Sequence, residues 1–541
     1  MNDLDQPLAV PPAPTPAASR PVWKRALALL RPTHRHSVFS ATILLMVSTF
    51  LSGIIGLVRS KYIAYLFGAS VATDAYNAAF QLPDMIAYFL VGGTASIAFI
   101  AILSRYRESG NEAEGERALS VILTVMVCVL GLAMVLGAIF APWYVRIFMP
   151  KFTPEEAALC VRMTRIMLPQ PLFFFVGGVF GSVLLVRKVF TYQAISPLVY
   201  NVAIILGGIF LAKSMGVSSL AVGVVAGAFL GYLALNFWGA HRVGMRFRLS
   251  FNLAHPGLRE WIRLSLPLML GVTVVTADKW ILNYFASGTH GQISRLTYAK
   301  SLFTAPMAVL GQAAGAASLP FFASLFSQGR LGDFAAAVNG SVSRIVAFSF
   351  LLSAWMIGLG YPAVDLVFRG GSFHHGDAVE TARYFTIFAV SLFLWTAQAI
   401  YARAFYAAGN TFAPMAAGVI VTLASLPVYW LLYHAGGAVG LSFASDIAIL
   451  LQTGALAIML HRRKMVRLSG LEHAELVRAV LATLASLAAL YGVRHLLPAT
   501  GRIADVIVLA AGTAVWLGVA GASLQLTGSA VPRELSARFL R

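Results

Sequence analysis

The chain has 541 residues, of which 59% are hydrophobic and only 11% are charged, and its mean hydropathy is +0.78. A soluble domain carries roughly 25% charged residues, so the composition excludes a mainly soluble protein and indicates one that crosses a membrane many times. The formal net charge of +19 fits this class, because Lys and Arg collect in cytoplasmic loops beside anionic lipid head groups. No basic globular module is evident, so we expect no nucleic-acid binding.

The chain begins with a basic segment rich in Pro and Ala, and we predict a disordered cytoplasmic tail over residues 1–37. An apolar run begins near Val38, and it is too long for a signal peptide and lacks a small-residue cleavage site. About 20 apolar residues span a bilayer as a helix, and by that criterion the sequence predicts about fourteen spans. Loops rich in Lys and Arg alternate with loops poor in them, which places both termini in the cytoplasm.

An internal repeat relates Phe67–Tyr106 to Phe285–Gln328. Each copy starts with a short turn and then has a Tyr about two helical turns before a Pro. Six predicted spans separate the copies, so both have the same orientation. Parallel repeats of this kind are typical of transporters, with the binding site between the two halves. We therefore predict an all-α fold of two six-helix lobes related by an axis along the membrane normal, followed by two C-terminal helices. The predicted boundaries are 38–248 for the first lobe, 249–464 for the second and 465–541 for the last two helices and a cytoplasmic tail.

Several charged residues interrupt the predicted spans. Arg59 and Asp74 lie in the first lobe, and Asp278, Lys279 and Lys300 lie in the second. A charge within a span costs a few kcal/mol or more and usually faces a bundle interior or an aqueous cavity. Guanidinium groups bind phosphate with two parallel hydrogen bonds, so two facing basic clusters suit a ligand with a phosphate or pyrophosphate head. The alternative is that these residues form structural ion pairs, with Asp278 and Lys300 neutralising each other.

Arg403 is a further basic residue in or near a span, and we include it among the candidate cavity residues. We find no Walker A motif, no Ser-His-Asp arrangement and no dinucleotide-binding motif, so we expect neither an enzyme nor a cofactor nor ATP-driven transport. His374, His375 and Asp377 resemble metal ligands, but no fourth ligand is evident and we predict no metal site.

The stretch FLSGIIGLVRSKYIAYLFGASVATDAYNAAFQLPD, at residues 50–84, resembles the opening signature of the MurJ/MviN lipid II flippases. YAKSLFTAPMAVLGQAAGAASLP and ARAFYAAGNTFAP are also similar to that family. The resemblance implies two lobes around a cationic central cavity. It also implies alternating access that carries an undecaprenyl-pyrophosphate-linked precursor to the periplasmic face. Of the family's functional residues, Ser52, Arg59 and Asp74 match, and we expect them to bind the substrate.

The sequence differs from the family at several cavity positions. Gly53 and Ala87 stand where the family usually has arginines. In segment eight, the usual Asp-Arg-x-x-Glu is replaced at Lys300, Ser301 and Thr304. The basic charge of the cavity would then come from Lys279, Lys300 and Arg403 instead.

We therefore expect a flippase in the bacterial inner membrane that moves an undecaprenyl-pyrophosphate-linked glycan, either lipid II or a close relative. Its expected partners are this lipid-linked glycan, the membrane lipids and a coupling ion. The main alternative is a flippase for O-antigen or exopolysaccharide repeat units in the same superfamily. A cation-coupled drug exporter is less favoured, because its cavity should be acidic and aromatic. The third alternative is a membrane scaffold that transports nothing.

Overall fold

A computed structural model describes residues 38–91, 99, 102–103, 105–106, 109–269, 274–497 and 501–529. Within these residues the chain forms helices and loops, with one isolated bridge between Gly370 and Phe373 and no strand. The predicted all-α class is therefore confirmed. The predicted N-terminal tail, residues 1–37, lies outside the described residues, as do parts of the first repeat copy.

The first lobe begins with a helix that is mostly apolar and ends at Phe67, just before a turn at Gly68 with φ +67°. Ser70 caps the next helix by accepting a hydrogen bond from the Thr73 amide. The helices of this lobe are α1 (Val38–Phe67), α2 (Val71–Ala79), α3 (Gln81–Ile86), α4 (Glu112–Phe148), α5 (Pro154–Met167), α6 (Gln170–Val186), α7 (Thr191–Met215), α8 (Ser218–Gly227) and α9 (Leu235–Arg242).

The second lobe follows a segment without regular secondary structure over residues 245–252. Its helices, together with two C-terminal ones, are α10 (Pro256–Met269), α11 (Val274–Ala286), α12 (Gln292–Met307), α13 (Ala314–Ser327), α14 (Leu331–Gly358), α15 (Gly360–Phe368), α16 (His375–Val390), α17 (Leu392–Ala407), α18 (Phe412–Arg462), α19 (His473–Leu496) and α20 (Arg502–Leu526). Helix α18 has 51 residues and contains a break at Gly437, where φ is 57°. The C-terminal pair α19 and α20 packs against α14, α15 and each other.

The packing of the helices repeats between the lobes. In the first lobe α1 packs on α7 and α2 packs on α5, and in the second lobe α11 packs on α18 and α12 packs on α16. Each repeat copy also contains a π-helical stretch shortly after its Pro: Ala87–Val91 follows Pro83, and Ala308–Ala313 follows Pro306. Proline removes a backbone donor from the helix ladder, so a local change of helix type at these points is expected. The predicted parallel repeat is thus visible in the element order and in the packing.

Fewer than fourteen of the described helices have the length and hydropathy of a membrane span. Among the described residues, nine helices are long and apolar enough to cross a membrane, or ten if the bent pair α16 and α17 counts as one span. Helix α18 is one of the nine, although the break at Gly437 divides it. The repeat regions near α3 and α12 are interrupted by π-helices, and α10 and α11 are separated by residues outside the described set. The count of fourteen therefore stays a prediction.

Helix α10, the first helix of the predicted second lobe, contacts the first lobe. It packs on α4 of the first lobe, whereas α11, the next helix, packs on α18 of the second lobe. Arg105 forms an ion pair with Glu260, and His255 contacts Glu114 Oε1 at 3.0 Å. Helix α10 thus contacts the first lobe, and the predicted boundary between residues 248 and 249 stays a prediction.

Helices α7 and α8 approach so closely that glycine is required at their contact. A Cβ atom added at Gly223 would lie 2.8 Å from Ile204 Cα and 2.9 Å from the Ala203 carbonyl oxygen. These neighbours are backbone atoms, so no side-chain rotation relieves the overlap. Small residues at helix contacts are typical of membrane proteins, because close packing replaces the hydrophobic driving force.

We predict that Gly223→Ala destabilises the protein by about 1–3 kcal/mol, because the added methyl group forces α7 and α8 apart. Thermal unfolding of the detergent-solubilised chain measures the effect as a lower midpoint. Gly131→Ala in α4 is the matched control, since nothing lies within 4 Å of an added Cβ there. Equal midpoints for Gly223→Ala and the native chain would contradict the close contact.

Candidate functional site

The two lobes meet at the end of the bundle that contains the turn at Gly68, which we call the Gly68 end. Asp74 of α2 is buried there and accepts hydrogen bonds from the Gly291 amide at 2.6 Å and the Ser294 amide at 2.8 Å. The Ser294 hydroxyl donates to the same carboxylate at 2.6 Å. Helix α12 has no cap from its own neighbouring side chains, so a carboxylate from the other lobe caps it and interacts favourably with its dipole.

Other contacts join the lobes at the Gly68 end. The Tyr298 hydroxyl donates to the Gly68 carbonyl at 3.0 Å, and the Ser372 amide donates to the Tyr65 carbonyl at 2.9 Å. Lys61 Nζ donates to the Leu366 carbonyl at 3.2 Å. The backbones approach closely at these points, because a Cβ at Gly371 would lie 2.1 Å from the Tyr65 carbonyl oxygen. This end of the interface is closed.

A cavity of about 250 Å³ lies between the lobes beside these contacts. Arg59 lies in its wall, and its Nη1 donates to Asn201 Oδ1 at 2.9 Å. Asn201 in turn donates to the Ser52 hydroxyl at 3.2 Å. The buried Nε of Arg59 has no hydrogen-bond partner in the described part of the chain. Arg59 is thus held in place by Asn201 while its side chain lines the cavity.

The second lobe contributes the opposite wall of this cavity. Lys279 of α11 forms an ion pair with Asp84 of α3, with 2.8 Å between Nζ and Oδ2. Both side chains are partly exposed, at 47% and 32%, so the pair is hydrated and costs little to separate. Tyr298 and Thr297 complete the wall on this side. The cavity therefore brings together Arg59 and Lys279, which the sequence placed in separate clusters.

A second cavity of about 390 Å³ lies deeper in the second lobe and shares Lys279 and Thr297 with the first. Lys300 lies in its wall, paired with the buried carboxylate of Asp278, and its Nζ is also 3.0 Å from the Ser445 hydroxyl. The Tyr429 hydroxyl donates to Asp278 at 2.5 Å. The ammonium also lies 4.5 Å from the Phe388 ring centroid, at a distance typical of cation–π contact. Asp278 and Lys300 therefore form the structural ion pair that the sequence offered as an alternative.

Two of the predicted site residues lie away from the two cavities. Asp74 lies in the closed interface described above. Arg403 of α17 is half-buried against α13, where a Cβ at Gly315 would come within 3.6 Å of its Nε. The site role of these two residues stays a prediction. The other predicted site residues lie at or directly behind the cavity walls, and they are Ser52, Arg59, Asp278, Lys279 and Lys300.

Three residues that position the site were not among the predicted site residues. Asn201 holds Arg59, Tyr429 holds Asp278, and the Ser294 hydroxyl of the second lobe donates to Asp74. Asn201 and Tyr429 are polar residues within apolar helices, and that pattern is a signal for them in the sequence. His374 and His375 belong to the start of α16, and no group of three metal-ligating side chains occurs in the described residues.

The chain was compared with known proteins. The family described as "Lipid II flippase MurJ" matches residues 63–511. The Burkholderia cenocepacia protein named "Lipid II flippase MurJ" is 28% identical over 417 residues, covering 74% of this chain and 80% of that protein. A Buchnera aphidicola (subsp. Acyrthosiphon pisum) protein named "Probable lipid II flippase MurJ" is 28% identical over 459 residues, covering 83% and 89%.

Solved structures share the fold. A structure titled "Lipid II flippase MurJ, inward closed conformation" superposes with a TM-score of 0.74 at 21% identity, covering 89% of this chain and 99% of that chain. An inward-facing multidrug resistance transporter of the MATE family, in the MOP superfamily, superposes with a TM-score of 0.63 at 13% identity. This superposition covers 79% of this chain and 98% of the transporter's chain. At these identities the likeness concerns the fold alone.

We predict that Asp74→Asn weakens the closure of the Gly68 end. The amide presents a donor to backbone N–H groups and lacks the charge that strengthens these hydrogen bonds, which are worth about 1.5–3 kcal/mol each. Spin labels at Lys213 and Gly376, both exposed, report the separation of the lobes. We expect the open fraction to rise about tenfold or more. Asp333→Asn, on the exposed start of α14, is the control, and equal distance distributions for both variants would refute the role of Asp74.

We predict that Lys300→Met is more destabilising than the double change Asp278→Asn with Lys300→Met. Removing one member of a buried ion pair costs about 3–5 kcal/mol, whereas replacing both leaves no uncompensated charge. The free energies of unfolding of the native chain, of Asp278→Asn, of Lys300→Met and of the double variant form a complete double-mutant cycle. Strictly additive values would show that the pair is not coupled, and Lys300 would then be available to a ligand.

Proposed function

This chain belongs to the MurJ lipid II flippase family, and we propose that it carries lipid II from the cytoplasmic to the periplasmic face of the bacterial inner membrane by alternating access. The observation that carries this proposal is Arg59 in the wall of the inter-lobe cavity, oriented by Asn201. A guanidinium keeps its charge at any physiological pH and matches the geometry of phosphate oxygens. The pyrophosphate of the lipid-linked precursor is the group it would bind.

The second lobe supplies a further basic group at the same place. Lys279 faces the cavity and is paired with Asp84 in this conformation. An arriving pyrophosphate would compete with Asp84 for the ammonium, which is feasible because the pair is hydrated. Cargo binding would thereby loosen one contact between the lobes. Such differential affinity for two states is what a ligand needs in order to shift a conformational equilibrium.

The orientation of the chain supports the proposed direction of transport. Basic loops such as 242–248 and 462–467 lie at the end of the bundle opposite Gly68. The positive-inside rule assigns that end, and with it both termini, to the cytoplasm. The lobes are then joined on the periplasmic side, and the cavity receives its cargo from the cytoplasmic side. Transport requires the contacts of Asp74, Tyr298 and Ser372 to break.

The coupling force is a separate part of the proposal. Asp278 and Asp74 are the candidate carboxylates for a coupling ion, and the membrane potential is the alternative driving force. In this conformation Asp278 holds the Lys300 ammonium, and Asp74 holds three donors from the other lobe. A cation at Asp278 would have to displace Lys300. We therefore propose that Lys300 serves as a built-in counter-charge in this state.

The alternative cargo, an O-antigen or exopolysaccharide repeat unit, shares the pyrophosphate and the prenyl chain with lipid II. The family and the curated relatives carry the name of a lipid II flippase, so lipid II is favoured. The charged residues of the cavity would bind the pyrophosphate that both cargoes share. The two cargoes differ in the glycan.

We predict that Arg59→Gln lowers translocation of lipid II about tenfold or more, because it removes a charge-assisted contact to the pyrophosphate worth about 1.5–3 kcal/mol. The measurement uses cells in which the variant replaces the native chain, with externally accessible lipid II quantified. Arg330→Gln is the control, because Arg330 pairs with Asp333 at an exposed position.

Depletion of the native chain identifies the cargo. Accumulation of peptidoglycan precursor on the cytoplasmic face supports the proposal. Accumulation of another lipid-linked glycan supports the alternative, and the absence of any accumulated intermediate contradicts both. If Arg59→Gln transports at the native rate while depletion still causes lipid II to accumulate, the family function holds but the role of Arg59 is wrong.

A further inference from the structure

A third cavity, which also lies between the lobes, differs in chemistry from the cavity that contains Arg59. We call it the aromatic cavity. It encloses about 710 Å³ near the Gly68 end, between α11 and the first half of α18 on one side and α3 and the end of α4 on the other. Its walls are aromatic and aliphatic. The residues that matter are Trp280, Tyr284 and Phe285 of α11, Leu426 and Trp430 of α18, and Phe148 of α4. Neither Arg59 nor Lys300 contributes to this wall.

The cavity opens sideways to the surface of the bundle. Trp430 is 55% exposed and Tyr284 is 40% exposed, although both belong to helices within the spanning region. Large exposed aromatic side chains near the end of a span lie at the level where the hydrocarbon core meets the head groups. A molecule in this cavity therefore comes from the bilayer, and its apolar part meets apolar walls.

The mouth of the cavity is basic. Lys151, in the loop between α4 and α5, lies with its Nζ 3.0 Å from the Tyr433 hydroxyl and 4.5 Å from the Tyr433 ring centroid. In the described part of the chain no carboxylate lies within ion-pair distance of this ammonium. His434 adds a polar ring beside it. The mouth thus offers a positive charge without a negative partner, next to a polar rim.

A buried polar side chain forms the inner end of the cavity. Gln81 lines the cavity and is completely buried. Its Oε1 accepts a hydrogen bond from Asn283 at 3.3 Å, and its side chain also interacts with the Tyr144 hydroxyl. Gln81 therefore forms the polar inner limit of a cavity whose other walls are mainly apolar.

We propose that this cavity binds a phospholipid with an anionic head group from the periplasmic leaflet. One acyl chain enters the aromatic cavity and the phosphate lies beside Lys151. A phospholipid is favoured over the cargo because a polyprenyl chain is far longer than an acyl chain, and the cavity has no room for it. This site does not depend on which glycan the protein transports.

Both lobes form the walls of this site, so the lipid contacts them together only while the Gly68 end is closed. Lys151 and Phe148 belong to the first lobe, and Tyr433 and Trp430 belong to the second. A ligand that binds one conformation better stabilises that conformation. The phospholipid would therefore stabilise the closed Gly68 end and release it when the lobes separate.

The test uses the full chain in phosphatidylcholine nanodiscs, with trace phosphatidylglycerol or phosphatidylcholine that carries a photoreactive diazirine on one acyl chain. Mass spectrometry of the irradiated protein locates the labelled peptides. We expect labelling of residues 277–285 and 422–434, with phosphatidylglycerol favoured about fivefold, the effect of one basic residue near a membrane surface. Equal labelling by both lipids, or no labelling of these peptides, would overturn the proposal.

Lys151→Gln should abolish the preference for phosphatidylglycerol, and Lys151→Arg should retain it. Arg146→Gln is the matched control, because Arg146 is an exposed basic residue on the same helix end but does not line the cavity. A preference that survives Lys151→Gln would disprove the role of the ammonium. Displacement of the probe by one equivalent of undecaprenyl phosphate would identify a prenyl lipid as the occupant, and the proposal would then be wrong.

Ala277→Leu tests the position of the acyl chain. Ala277 lies in the cavity wall, so the larger side chain fills space that the acyl chain would occupy. We expect labelling of residues 281–285 to fall while labelling of other lipid-facing helices is unchanged. Undiminished labelling of residues 281–285 would show that the chain lies outside the cavity. The thermal midpoint of the variant confirms that it is folded.

Discussion

The arrangement of the molecule depends on one buried carboxylate that crosses from one lobe to the other. Asp74 leaves the start of α2 and caps α12, satisfying the Gly291 and Ser294 amides. A buried carboxylate is expensive unless its lone pairs are filled. Both lobes must therefore be in register at the Gly68 end for either to be satisfied. The same requirement makes the contact reversible, because water satisfies these groups when the lobes separate.

The charged residues of the spans have three different environments, although they look alike in the sequence. Asp74 is in a dry interface, Asp278 and Lys300 form a buried pair, and Arg59 and Lys279 face a cavity. The cost of a charge in a span is offset by hydrogen bonds at Asp74, by the ion pair at Asp278 and Lys300, and by access to the cavity at Arg59 and Lys279. Only the third environment leaves a cation accessible to an anionic head group.

Much of the fold was predictable from the sequence, because hydrophobic length and repeated turns depend on local composition. The turn at Gly68 and the tyrosines at 76 and 298 indicated two equivalent halves, and the packing has that symmetry. The site was predictable only in part. Arg59 is recognisable as a charge in an apolar run, but its partner Asn201 is 142 residues away, and Asp74 meets Ser294 at a separation of 220 residues. The docking of the two lobes decides which charges form pairs and which face a cavity. No local sequence pattern predicts that docking.

The inter-lobe surface has a polar part and an apolar part that are separated by a few side chains. Gln81 and Asn283 hydrogen-bond across the interface at 3.3 Å, with the ion pair of Lys279 and Asp84 nearby on the same helices, α3 and α11. On one side of these contacts lies the cavity with Arg59, and on the other lies the aromatic cavity with Trp280. Because α11 lines both, a movement that separates it from α3 changes both cavities at once. Cargo in the cavity with Arg59 and lipid in the aromatic cavity would then act on the same pair of helices. The cargo would compete for Lys279, and the lipid would hold the two walls of its cavity together.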